Sequence, residues 1–163
     1  MIEIMQLSAD EIDAVLSVQE RCYTVDLLEK RECFLHKVEI FRRGCLGALL
    51  EGGLVGYGFF HPWISNWPIP LNDTTFLIPA EANCIYIHDV AVVPDRRASK
   101  CGAKLIEQVV ETGQELGLYT YALVAVQNSE SYWKRWGFEE NKKMTYGKSA
   151  ATHMACCGVP RWR

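Results

Sequence analysis

At 163 residues the chain has the length of one compact domain and falls short of two, since single domains run to roughly 100–200 residues. Hydrophobic residues at 49% and charged residues at 23% match a folded globular chain and exclude a disordered or fibrous one. A formal net charge of −3, with no run of like charges, leaves no electrostatic footprint for a nucleic-acid partner.

From the start, Met1 to Leu7 alternate as a strand, with no basic stretch and apolar core of the kind that addresses a chain for export. Ser8-Ala9-Asp10-Glu11 reads as a capping box opening a helix whose buried face carries Ile12, Val15, Leu16 and Val18. A second helix is expected from about Leu27 to Arg43, with Cys33, Phe34, Val38 and Phe41 inward and Gly44 at its end. Cys45 to Leu50 and Leu54 to Phe60 flank Glu51-Gly52-Gly53 and read as a hairpin, because the glycine pair supplies the positive φ of a tight turn. His61 to Ala82 carries four prolines with Trp63, Trp67 and Phe76, a composition that predicts a packed loop.

The second half opens with Cys84 to Val93, a strong strand pattern, followed by a helix from Ser99 to Leu116 and an almost wholly apolar strand from Tyr119 to Val126, buried on both faces. Ser129 to Trp136 forms a short helix stopped by Gly137, and Phe138 to Met144 and Ser149 to Cys157 read as two last strands. No stretch reaches the ~20 apolar residues of a membrane span. The seven cysteines are odd in number, contain no C-x-x-C pair and do not cluster with the four histidines, so neither a disulfide framework nor a metal site is expected, and a cytoplasmic location is.

The stretch that carries chemistry is Tyr86 to Ala103, where a strand meets a turn of small and basic residues and then a helix. The first amides of a helix lack intrahelical partners and sit at the positive end of its dipole, so this turn is a place for phosphate, with Arg97 and Lys100 adding charge. By spacing alone, small residues there serve any tight strand-to-helix turn equally well.

The segment Val92-Val93-Pro94-Asp95-Arg96-Arg97-Ala98-Ser99-Lys100-Cys101-Gly102-Ala103 resembles the acetyl-CoA motif of the GNAT superfamily of acetyltransferases, R/Q-x-x-G-x-G/A after V-x-P. Asn128 with Tyr132-Trp133-Lys134-Arg135-Trp136-Gly137-Phe138 is similar to that superfamily's second signature. The resemblance implies an α+β fold, a mixed and mostly antiparallel sheet of six or seven strands with helices on both faces, splayed at its centre to admit acetyl-CoA. It implies that Arg97, Ala98, Lys100, Cys101, Gly102 and Ala103 hold the pyrophosphate, that Val90 and Val92 pair with the pantetheine arm, and that Asn128 is a further cofactor contact. Lys100 stands where the motif has its first glycine. Cys101 near the helix start could alternatively be a nucleophile, but no histidine lies nearby in sequence and its motif position is ordinarily an apolar core residue.

Tyr86-Ile87-His88-Asp89-Val90-Ala91-Val92 resembles the corresponding strand of the arylalkylamine N-acetyltransferase branch, with His88 matching the second of its two histidines and Tyr86 replacing the first. An alkylamine with a pKa of about 10.4 arrives protonated and needs a base, and a histidine near 6.5 suits that work at neutral pH. His88 is the candidate base, the alternative being a histidine satisfied by Asp89 or backbone. Trp133 occupies the position of the tyrosine that protonates the departing thiolate in many relatives, so that role falls to Tyr132, to water, or to nothing. Tyr23 and Leu27 of the first interhelical loop, with His61 and Trp63, are expected to line an acceptor pocket. The expected activity is acetyl transfer from acetyl-CoA to the primary amine of a small molecule, aromatic ones included, by a monomer or homodimer. A peptide N-terminus or lysine as acceptor, and a catalytically degenerate CoA-binding module, are the alternatives.

Overall fold

The computed structural model describes residues 1–163. In chain order the elements are β1 (Ile2–Gln6), α1 (Ile12–Cys22), α2 (Arg31–Phe41), β2 (Cys45–Leu50), β3 (Gly53–Trp63), β4 (Cys84–Val92), α3 (Cys101–Glu115), β5 (Thr120–Ala125), α4 (Glu130–Arg135), β6 (Glu139–Tyr146) and β7 (Ser149–Cys157). They build one sheet of seven strands in the order β1-β2-β3-β4-β5-β7-β6. Only the β4–β5 pair is parallel; the other pairs are antiparallel. The expected α+β architecture is the one observed, at seven strands, with β7 inserted between β5 and β6 of the same chain.

Helices cover both faces because the strands are apolar on both. Against one face, α1 and α2 pack Ile12, Val15, Val18 and Phe34 onto Tyr57, Phe59, Ala91 and Val93. Against the other, α3 and α4 pack Leu105, Ile106, Val109 and Trp133 onto Ile85, Ile87 and Leu123. Ser8 closes the expected capping box with Glu11, over a short 3-10 turn that leads into α1.

Among the boundaries that differ from the sequence pattern, three have a clear local reason. β3 runs on through His61 and Pro62 to Trp63 instead of ending at Phe60. Its pairing with β2 stops at Cys45↔Phe59, so beyond that point β3 is bonded on one side only and an edge position tolerates proline. α2 begins at Arg31, not Leu27, because Gln19 holds Glu29 in an extended segment: its amide nitrogen donates to Glu29 O at 2.7 Å and its oxygen accepts from Glu29 N at 3.0 Å. α3 begins at Cys101 because Pro94–Ser99 forms a 3-10 turn and Lys100 then turns left-handed, at φ 69°.

Two features of β4 set up the site. Its register against β3 shifts between Phe59↔Asp89 and Phe60↔Ile87, which leaves His88 as the extra residue of a β-bulge. Its parallel pairing with β5 is confined to Ile85↔Tyr121, Tyr86↔Ala122 and Ile87↔Leu123, after which the two strands part. Five of the seven cysteines are buried core residues, and none is paired. No helix is long and apolar enough to cross a membrane.

Candidate active site

The gap between β4 and β5 opens into a cavity of about 530 Å³ that runs across the sheet. Its walls are the bulged half of β4 from Ile87 to Val92, the end of β5, Arg97 and Gly102 at the start of α3, Tyr132 and Trp133 of α4, and Tyr23, Leu27 and Glu29 between α1 and α2.

A bulge reverses the alternation of side chains along a strand, so residues on its two sides that would face apart can face together. Before the bulge, Ile85 and Ile87 pack toward α3, and after it Ala91 and Val93 pack toward α1. Consecutive residues His88 and Asp89 therefore both lie on the α1–α2 face. The Tyr23 hydroxyl donates to Asp89 Oδ1 and the Tyr57 hydroxyl to Oδ2, the latter at 2.7 Å. Burial pushes the Asp89 carboxyl up to about 6, against the pull of those two hydroxyls. The His88 side chain is 1% exposed, and neither ring nitrogen has a hydrogen-bond partner in the protein. Burial, reinforced by Lys37, lowers its pKa, while Glu29 opposes the shift, so the ring is neutral at pH 7 with its lone pair free.

Behind His88 stands a buried ion pair. Lys37 Nζ lies 2.5 Å from Glu29 Oε1 and above the rings of Phe34 and Phe59, and His88 Nε2 is 3.7 Å from the same oxygen, beyond a hydrogen bond. Burial alone would raise the Glu29 carboxyl; the Lys37 ammonium outweighs it and holds the group below the ordinary carboxylate range.

At the opposite end the chain is cationic and rich in free donors. Val93 N–H bonds Val55 O of β3, so by alternation the amides of Val90 and Val92 face the gap left by β5. Arg97 Nε donates to Val92 O at 3.1 Å, leaving the rest of its guanidinium to the cavity mouth. Lys104 N–H is the first in α3 to close onto a carbonyl, that of Lys100, so the amides of Cys101, Gly102 and Ala103 are unspent at the helix start. The left-handed Lys100 explains why glycine is at home in that position: a lysine there carries roughly 1–2 kcal/mol of backbone strain. A Cβ on Gly102 would meet the Tyr132 hydroxyl at 3.3 Å, which places that hydroxyl against the helix start. These groups suit an elongated anionic ligand: amides at a helix terminus for phosphates and an unpaired strand edge for an extended amide-bearing arm.

The structure brings together His88, Tyr132, Val90, Val92, Arg97, Gly102, Tyr23 and Leu27 from the sequence expectation. Ala98, Lys100 and Ala103 flank the same turn, whereas the Cys101 side chain is fully buried in the core beneath it, ruling out a reactive exposed thiol. Asn128 is exposed at a left-handed turn and does not line the cavity; its neighbour Gln127 does, bonding Cys22 O and Thr24 N and tying two loops together. His61 and Trp63 are likewise away from the cavity. His61 is 2% exposed, stacked on Phe76 with Nδ1 against Pro62 O, and burial takes its pKa down to about 3. From the following loop Leu71 lines the cavity instead, joined by Tyr146 of β6. Glu29, Lys37 and Tyr146 were not anticipated. One signal was available, since Lys37 lies three and four residues after Phe34 and Cys33, on the buried stripe of α2.

A sheet splayed at a bulged central strand, opening beside a basic helix start, defines a protein that takes an acyl-CoA. The family model described as acetyltransferase (GNAT) family matches residues 12–138, and the chain belongs to that family. It is an acyltransferase that uses acetyl-CoA. Solved structures share the fold at low identity. The loading GNATL domain of CurA from Lyngbya majuscula matches with a TM-score of 0.82 and 10% identity, over 96% of this chain and 98% of that one. The PaiA N-acetyltransferase from Thermoplasma acidophilum, in complex with coenzyme A, matches with a TM-score of 0.71 and 16% identity over 96% and 99%. The ribosomal-protein-S18-alanine N-acetyltransferase from Escherichia coli matches with 0.69 and 14% over 100% and 97%. No curated protein matches by sequence.

The Asp89 environment makes a stability prediction. Its folded pKa of about 6 exceeds the reference 3.8, so between those values the folded state binds more protons than the unfolded one and stability falls as pH rises. Asp89→Asn removes that penalty. Chemical denaturation is expected to find the variant more stable than the parent by about 1–3 kcal/mol at pH 7.5, with the gap closing by pH 4; a variant less stable at both pH values would contradict the assignment.

Proposed function

We propose that the chain acetylates the primary amine of a small molecule with an apolar, aromatic-compatible body. The observation that carries this reading is the polarity of the cavity: Arg97 and the free amides of α3 at one end, the carboxylates of Glu29 and Asp89 at the other, and mostly hydrophobic lining between. Anionic phosphates suit the first end and an ammonium the second. The acceptor side is also roofed. Ser149 Oγ at the start of β7 donates to Asp26 Oδ2 in the α1–α2 connection, and Gly147 of the β6–β7 turn packs on Leu71 and Asp26. That contact favours a compact amine over a peptide threaded through the site.

Acetyl-CoA supplies an activated thioester. Around it, the amides of Cys101, Gly102 and Ala103, with Arg97 and Lys100 at the same turn, hold the pyrophosphate, and Val90 and Val92 pair with the pantetheine arm. The Val90 N–H faces the gap and is placed to polarise the thioester carbonyl. Glu29 and Asp89 attract and orient the acceptor ammonium, and neutral His88 takes its proton. The freed amine then attacks the carbonyl carbon, forming the C–N bond as the C–S bond breaks. Tyr132, whose pKa burial raises, protonates the departing sulfur, and the second proton that the nitrogen sheds as the amide forms restores the Tyr132 hydroxyl, while His88 passes the first to solvent. The position of His88 on β4 and the mostly hydrophobic lining of the cavity support kinship with the arylalkylamine branch.

The test is a panel of arylalkylamines, polyamines, lysine and N-terminal peptides, read by thiol release. Singly charged amines with apolar bodies are expected to give the highest kcat/KM. His88→Gln should lower kcat with the best of them by about 10²-fold and remove the acid limb of its pH profile. Fastest turnover with peptides would replace this reading by the peptide one, and no turnover with tight acetyl-CoA binding would make the chain a binding module.

A further inference from the structure

α4 has six residues, too few to hold themselves as a helix, yet it carries Tyr132. Residues 158–163, which follow β7, fold back over it. Arg161 N donates to Trp136 O at 3.0 Å, Arg163 N to Arg135 O at 2.7 Å, and Arg135 Nε returns a bond to Arg163 O at 3.0 Å. Between these clamps the Trp162 ring lies 5.5 Å from that of Tyr132 and 5.4 Å from that of Trp136, with the Arg135 guanidinium 4.2 Å from its own centroid. On its other side Tyr132 leans on Trp133, which is itself locked against Phe138 in the core. Tyr132 is thus held in an aromatic vice, with its hydroxyl directed at Gly102.

Trp162 remains 48% exposed, a large apolar ring set against Tyr132 and Arg135 of α4 and against Trp136 at its end. Such a ring buried on a catalytic helix and otherwise wet stabilises the fold less than a core tryptophan would, but it fixes one rotamer of its neighbour. We infer that Trp162 is a positioning residue for Tyr132, so that the segment after β7 sets the geometry of proton delivery to the leaving sulfur. The inference rests on Tyr132 as the proton donor proposed above.

The experiment compares kcat and KM for acetyl-CoA in Trp162→Leu, Tyr132→Phe and the double variant. Tyr132→Phe is expected to lower kcat by about 10²-fold, the low end for a general acid. Trp162→Leu is expected to lower kcat roughly 10-fold with KM within about 2-fold, Trp162→Phe to restore most of it, and the double variant to match Tyr132→Phe alone, since two parts of one device are not additive. If Tyr132→Phe is impaired while Trp162→Leu keeps full kcat, the positioning role is overturned and the donor assignment stands. A raised KM at unchanged kcat in Trp162→Leu would likewise overturn it, marking a cofactor contact instead. Full kcat in Tyr132→Phe would remove the donor assignment and this inference with it. Should Trp162→Leu fail to fold, Arg135→Gln, which releases both the ring and Arg163 O, carries the same expectation.

Discussion

The bulge at His88 is the constraint from which the rest of the site follows. One unpaired residue in β4 breaks the register against β3 and turns two successive titratable side chains onto one face of the sheet. The same irregularity falls immediately after the last β4–β5 pair, Ile87↔Leu123, so that the strand edge beyond it is unpaired toward the gap. In a regular strand Asp89 would point toward α3, into a wholly apolar core, where an ionised carboxylate has no place. With the bulge, it reaches two tyrosine hydroxyls and stays beside His88.

The charges that flank the cavity are held at a cost in stability. A carboxylate and an ammonium buried with Glu29 7% and Lys37 2% exposed gain from each other about what desolvation takes away, and removing one partner alone leaves an uncompensated charge. Lys37 spends its one close contact keeping Glu29 ionised, and its proximity also keeps His88 neutral. The result is a neutral imidazole with a free lone pair next to a carboxylate that attracts a cation. Asp89, raised to about 6, extends the same anionic floor.

Most of the fold was legible in the sequence because each element carried its own periodicity: the glycine pair at 52–53, the apolar run of β5 and the capping box at Ser8 are local signals. The turn proposed to hold the cofactor was visible for the same reason, being one contiguous stretch between β4 and α3. The other end of the cavity was not, because its parts are joined only in space. Glu29 depends on Gln19 for its extended backbone and on Lys37 for its charge. His61 is held in β3 by its pairing with Tyr86 of β4, beyond the first residue of β2, which no pattern within residues 53–63 reveals. That His88 and Asp89 share a face depends on the partner strand's register. Trp162 lies in a segment with no periodicity at all, and its contact with Tyr132 spans thirty residues of chain.

The proposed binding mode seats acetyl-CoA in the gap beyond the bulge, with its phosphates on the α3 terminus. Titration with acetyl-CoA followed by backbone-amide NMR tests it most directly. Saturable shifts are expected at Val90, Val92, Cys101, Gly102 and Ala103, with β1, β2 and the outer edge of β6 unmoved. Shifts spread evenly over the surface, or none at millimolar ligand, would contradict it.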